Sequence, residues 1–160
     1  MVAIGDKAPT FILPLAGGDG YDDVTEFSLS AAIGDGPIVL AFVPGAFTGG
    51  CTRELAAFHE QLDAFAARDA SVYGVSVDLP FAQNVWIERE GYDLEMLSDW
   101  DHEAIKSYRV VMEDLYGSIR AAERSVFIID NEGRIAFRWV RDGENPDFDE
   151  LVEQVLSVLD

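Results

Sequence analysis

The run Pro37-Ile38-Val39-Leu40-Ala41-Phe42-Val43-Pro44-Gly45-Ala46-Phe47-Thr48-Gly49-Gly50-Cys51-Thr52-Arg53-Glu54 decides how this chain folds. Its first seven residues are apolar without alternation, as in a strand buried on both faces of a sheet, and Pro44 closes the strand. Beyond the loop, Leu55, Phe58, Leu62 and Phe65 recur at helical spacing, with Arg53, Glu60 and Arg68 on other faces. That spacing predicts a helix starting at Cys51 and ending at Arg68-Asp69. A buried strand therefore points at a loop carrying the single cysteine, which stands in the first turn of a helix.

Strand and helix patterns alternate on both sides of this segment. Ser71 to Val77 reads as a second buried strand, Asp78-Leu79-Pro80 as a turn, and Phe81 to Arg89 as a helix closed at Glu90-Gly91. A shorter strand, Leu94 to Leu97, and a helix around Glu103 to Tyr108 follow. Ser125 to Asp130, the turn Asn131-Glu132-Gly133 and Arg134 to Val140 form a hairpin pattern in which Gly133 supplies the positive φ. In the last helix Phe148, Leu151, Val152, Val155, Leu156 and Leu159 make one apolar stripe, with Asn145 placed to cap it and Pro146 in its first turn. Gly17-Gly18-Asp19-Gly20 lacks the Lys and Ser/Thr of a phosphate loop and opens no helix, so it reads as a hairpin or surface loop. With no repeat and no linker, residues 1–160 are expected to form one α/β domain. Helices should flank a central mixed sheet, parallel in the βαβα part and antiparallel in the hairpin.

Charge narrows the range of partners. Thirty acidic side chains against 11 basic ones give a net charge of −19, a field that repels nucleic acid and anionic membranes. The acids are dispersed, as in a solvated coat, and their mutual repulsion is relieved by salt, whose Debye length falls to about 3 Å at 1 M. A salt-rich cytoplasm is the expectation that follows. A lone cysteine makes no internal disulfide, and Met1-Val2-Ala3-Ile4-Gly5-Asp6 is not a secretory leader, which fits a reducing, cytoplasmic setting. The apolar runs are too short for a membrane-spanning helix.

A lone cysteine in an apolar stretch is usually an inert small hydrophobe. Around Cys51, however, the pattern is P-x-x-x-T-x-x-C, followed three residues later by Glu54. With proline and threonine each at about 5% of residues, both standing at these offsets is roughly a one-in-several-hundred coincidence. Each residue has a chemical use. Pro44, lacking an N–H, stiffens the approach to the cysteine. Thr48 offers a hydroxyl to a backbone N–H or to a polar substrate atom beside the sulfur. Gly49 and Gly50 keep side chains away, and the start of a helix stabilises a thiolate.

The stretch from Phe42 to Glu54 resembles the active-site motif of the peroxiredoxins, thiol peroxidases of the thioredoxin-like fold with N-terminal additions. The likeness extends through Gly5-Asp6-Lys7-Ala8-Pro9, Gly74-Val75-Ser76-Val77-Asp78, Leu97-Ser98-Asp99 and Glu123-Arg124-Ser125-Val126-Phe127-Ile128-Ile129-Asp130. The resemblance implies that Cys51 is the peroxidatic nucleophile, that Pro44 and Thr48 shape the peroxide pocket, and that Arg124 lies beside the sulfur. A guanidinium there would favour the thiolate and polarise the peroxide, and Glu54 could orient it by a bidentate pair. With no second cysteine, the sulfenic acid would pass to an external thiol, either a thioredoxin-like or glutaredoxin-like protein or a low-molecular-weight thiol. That makes the chain similar to the one-cysteine members, near the alkyl hydroperoxide reductase E and bacterioferritin-comigratory-protein groups. The resemblance also implies a homodimer or higher homo-oligomer, with Phe47, Trp86 and Trp100 as candidates for its surface.

No signature of haem, flavin or nicotinamide is present, and His59 and His102 read as surface or packing residues rather than metal ligands. Two other readings stay open at this level. One is a thiol-disulfide oxidoreductase, which generally needs a C-x-x-C pair where this chain has Thr48. The other is a non-enzymatic thioredoxin-fold module, redox-silent or chaperone-like, with a structural cysteine.

Overall fold

The computed structural model describes residues 2–160. In chain order the elements are β1 (Ile12–Ala16), β2 (Val24–Ser28), α1 (Leu29–Ala32), β3 (Ile38–Phe42), α2 (Gly49–Glu60), α3 (Leu62–Ala66), β4 (Ser71–Ser76), α4 (Pro80–Glu90), β5 (Glu95–Ser98), α5 (Glu103–Ser107), β6 (Val111–Leu115), β7 (Ile119–Ala122), β8 (Ser125–Ile129), β9 (Ile135–Val140) and α6 (Phe148–Leu159). A seven-stranded sheet runs in the order β2-β1-β5-β4-β3-β8-β9, and β6 and β7 form a separate hairpin.

β3 lies inside the sheet because every one of its residues is apolar and buried. It runs parallel to β4, and β4 parallel to β5, whereas β8 lies antiparallel to β3 and β9 to β8. The mixed sheet is thus parallel at its centre and antiparallel toward both edges. Alternate side chains serve two cores. Val39, Ala41 and Val43 face one core with Val126, Ile128, Leu55, Phe58, Trp86 and Val155. Ile38, Leu40 and Phe42 face the other with Phe127, Ile129, Ile105 and Tyr108. Phe42, Tyr108 and Phe127 meet there as tilted and edge-on rings with centroids 5.1–5.8 Å apart, a favoured aromatic geometry.

The β8–β9 hairpin forms as expected, with Gly133 at φ 79° in its turn. The glycine-rich segment at 17–20 is the turn between β1 and β2. Two helix expectations need correction. The helix of the cysteine is interrupted at Gln61: α2 ends at Glu60, and α3 continues only to Ala66. The last helix is capped by Asp147, whose carboxylate accepts the Glu150 N–H at 3.2 Å, so Asn145 and Pro146 lie ahead of it. Among the described residues no helix is long and apolar enough to cross a membrane.

Candidate active site

Strand register brings the site together. Phe42, the last residue of β3, pairs with Ser125, the first residue of β8. The chain leaving β3 toward Cys51 therefore passes the chain entering β8 from Arg124. Cys51 is fully buried in the first turn of α2, and Arg124 is 3% exposed. Nη2 of Arg124 lies 3.5 Å from the sulfur. A buried guanidinium and the first turn of a 12-residue helix thus converge on one sulfur.

Four groups hold Arg124. Nη1 donates to Oε2 of Glu54 at 3.1 Å and Nε to Oδ1 of Asn145 at 3.0 Å, while Nη2 meets the sulfur. The ring of Phe148 lies 5.5 Å from Cζ, within cation–π range. The Glu54 contact is single rather than bidentate: Oε1 of this fully buried carboxylate has no hydrogen-bond partner. Burial pushes the Glu54 carboxyl up to about 7, and the neighbouring Arg124 charge offsets that rise only in part.

The loop between β3 and α2 is held from several sides. Pro44 is buried, and Thr48 is half-buried at the N-cap position of α2. The Thr48 hydroxyl makes no cap bond and instead donates to the Gly45 carbonyl at 2.9 Å. Phe47 adopts φ 66°, an unfavourable conformation for an aromatic residue. Its ring packs 6.2 Å from that of Trp86, with the Arg89 guanidinium 5.9 Å away. Asp78, from the turn after β4, accepts the Ala46 N–H at 2.8 Å and the Ser76 hydroxyl at 2.7 Å. On the helix side, Trp86 Nε1 donates to the Thr52 hydroxyl at 3.3 Å and the Tyr92 hydroxyl to the Thr52 carbonyl at 2.8 Å.

Asp78 and Asn145 are not readable from sequence as site residues. The Asp-x-Pro turn marks where Asp78 sits, but not that its carboxylate reaches Ala46. Asn145 carries a turn and cap signal, yet its side chain bonds arginines. Trp86 is fully buried, so it packs beneath Phe47 instead of forming surface, while Phe47 and Trp100 are exposed. A groove of about 600 Å³ between α2 and α6 is lined by Arg53, Ala56, Glu60, Asn145, Pro146 and Phe148 among others, and Pro44, Thr48 and Cys51 are absent from its lining. No cluster of potential metal ligands occurs among the described residues.

Residues 4–138 match the AhpC/TSA family. A thiol peroxidase of Staphylococcus saprophyticus is 34% identical over 98% of this chain and 90% of its own length. Among solved structures, peroxidoxin BcpB from Mycobacterium tuberculosis superposes with a TM-score of 0.84 at 28% identity, covering 99% of this chain and 97% of that one. Peroxiredoxin Q of Xanthomonas campestris gives 0.79 at 25% identity, covering 93% and 89%. The chain belongs to the AhpC/TSA family, on the thioredoxin-like fold of the peroxiredoxins. It is a thiol peroxidase, an oxidoreductase, and the reading as a non-enzymatic module is not favoured.

Proposed function

We propose that one domain spanning residues 1–160 reduces hydrogen peroxide, organic hydroperoxides or both, with Cys51 as the peroxidatic nucleophile. The observation that carries this assignment is the buried contact of 3.5 Å between Arg124 and the only cysteine sulfur in the chain. The thiolate attacks the terminal oxygen of the hydroperoxide. An S–O bond forms, the O–O bond breaks, and the leaving oxygen departs with the electron pair and takes a proton to become water or an alcohol. Cys51 is left as a sulfenic acid. Arg124 stabilises the thiolate and then the charge moving onto the leaving oxygen. Pro44 and Thr48 bound the space in which the peroxide sits, and Glu54 orients Arg124.

An external thiol then condenses with the sulfenic acid, releasing water and leaving a mixed disulfide, which a second thiol cleaves to restore Cys51. Both electrons come from thiols, supplied by a thioredoxin-like or glutaredoxin-like protein or by a small thiol. The exposed Phe47, Leu79, Phe81 and Trp100 follow or border the C-terminal ends of β3, β4 and β5, and this apolar end of the sheet supports a homodimer. The acidic surface and the free cysteine fit a reducing, salt-rich cytoplasm.

Stopped-flow oxidation of the reduced protein by one equivalent of hydrogen peroxide, with the sulfenic acid trapped and located by mass, tests the assignment. Fast stoichiometric modification of Cys51, abolished in Cys51→Ser, is expected. A rate no better than that of a free thiol would refute it.

A further inference from the structure

We propose that Asn145 is a positioning residue for peroxide reduction, fixing the aim of Arg124 at the Cys51 sulfur; the proposal rests on the peroxidase reading of that cysteine. Its Oδ1 accepts from Nε of Arg124 at 3.0 Å and from Nη1 of Arg141 at 2.9 Å. An amide oxygen has two lone pairs, and both are used here on guanidinium donors. Arg141 is tied in turn by its Nε to Oε1 of Glu123 at 2.9 Å. The chain of contacts therefore runs from Glu54 through Arg124, Asn145 and Arg141 to Glu123, with the one neutral member joining two cations.

A guanidinium is a rigid planar fork, so fixing Nε and Nη1 fixes where Nη2 points. Glu54 fixes Nη1 and Asn145 fixes Nε, and the remaining edge faces the sulfur. The segment bearing Asn145 is itself constrained. Pro146 follows it directly and biases it to extended backbone, and Asp147 caps α6 two residues on. On the other side, a Cβ on Gly50 would stand 2.9 Å from Nη2 of Arg124 and 3.1 Å from Nδ2 of Asn145. Both side chains thus lie directly against the backbone beside Cys51.

The test is a double-mutant cycle on the rate of Cys51 oxidation by hydrogen peroxide, with thermal melts of every variant. Asn145→Ala is expected to slow oxidation on the order of 5- to 10-fold, the loss of one bond to a charged donor from an exposed residue. Asn145→Asp keeps an acceptor for both guanidinia and should recover most of that loss. In the background Arg124→Ala/Glu54→Gln, which leaves no buried carboxylate unpaired, Asn145→Ala should change nothing, because the residue through which it acts is gone. Asp147→Ala removes the cap of the same helix and should lower the melting temperature without slowing oxidation. The proposal is overturned if Asn145→Ala oxidises as fast as wild type, if it slows the Arg124-lacking background by the same factor, or if Asp147→Ala slows oxidation equally. A slow wild-type protein would instead refute the peroxidase reading itself.

Discussion

Nη2 of Arg124 stands 3.5 Å from the Cys51 sulfur although 73 residues separate the two in sequence. One follows the strand β3 and the other precedes its antiparallel neighbour β8.

On the proposed mechanism Arg124→Ala removes a charge aimed at the transition state, and oxidation of Cys51 should slow by on the order of 10²-fold or more. It also leaves the buried Glu54 carboxyl without its partner, which lowers stability. Adding Glu54→Gln should restore much of that stability and none of the rate. Recovery of rate in the double variant would place the catalytic charge elsewhere.

Glu54 predicts a pH dependence of stability. Its carboxyl rises from the ordinary 4.5 to about 7 on folding, so between these values the native state holds a proton that the unfolded chain has released. Stability from this group is complete below about pH 4.5 and is lost as pH rises through about 7, on the order of 3 kcal/mol at most. Denaturant titrations across this window should show wild type losing stability relative to Glu54→Gln as pH increases. Parallel curves would mean that Arg124 holds the carboxylate ionised throughout.

The two glycines ahead of Cys51 should respond differently. At Gly50 a Cβ would meet Nη2 of Arg124 at 2.9 Å, whereas at Gly49 the nearest contact is Nη1 of the exposed Arg53 at 3.4 Å. Gly49→Ala should raise stability by up to about 1 kcal/mol through helix propensity, with oxidation unchanged. Gly50→Ala should slow oxidation, because an arginine held on three sides cannot yield without leaving the sulfur. Equal rates in the two variants would show that Arg124 adjusts freely.

The net charge of −19 predicts strong stabilisation by salt. Denaturation midpoints at low and at molar potassium chloride should differ markedly, and a flat response would remove the case for a salt-rich cytoplasm.

The elements that are legible in the sequence are those whose signal is local. The unbroken apolar run of β3, the hairpin around Gly133 and the stripe of α6 each announce themselves within a dozen residues. The interruption at Gln61 is hidden because Phe58 and Phe65 stay packed, ring to ring, at 5.8 Å across it, so apolar spacing continues through the break. The hairpin of β6 and β7 is not legible because it stands outside the main sheet, and Glu113 and Asp114 in β6 are exposed. At the site, resemblance to a motif points to Cys51, Thr48, Pro44, Arg124 and Glu54. Asp78 meets Ala46 and Asn145 meets Arg124 through side-chain bonds between residues remote in sequence, and no periodicity encodes such bonds.

The pairing of Phe42 with Ser125 also sets how the site can come apart. Arg124 adjoins the most enclosed strands of the molecule, whose amides should exchange with solvent only on global unfolding. Cys51 instead sits behind a loop and a first helical turn held by side-chain bonds from Asp78, Trp86 and Tyr92. Hydrogen exchange across the site should therefore be lopsided, slow at Val126 and Ile128 and faster from Ala46 to Thr52. Any opening that exposes the sulfur to a thiol larger than a peroxide starts from the cysteine's own side, while the arginine stays in place.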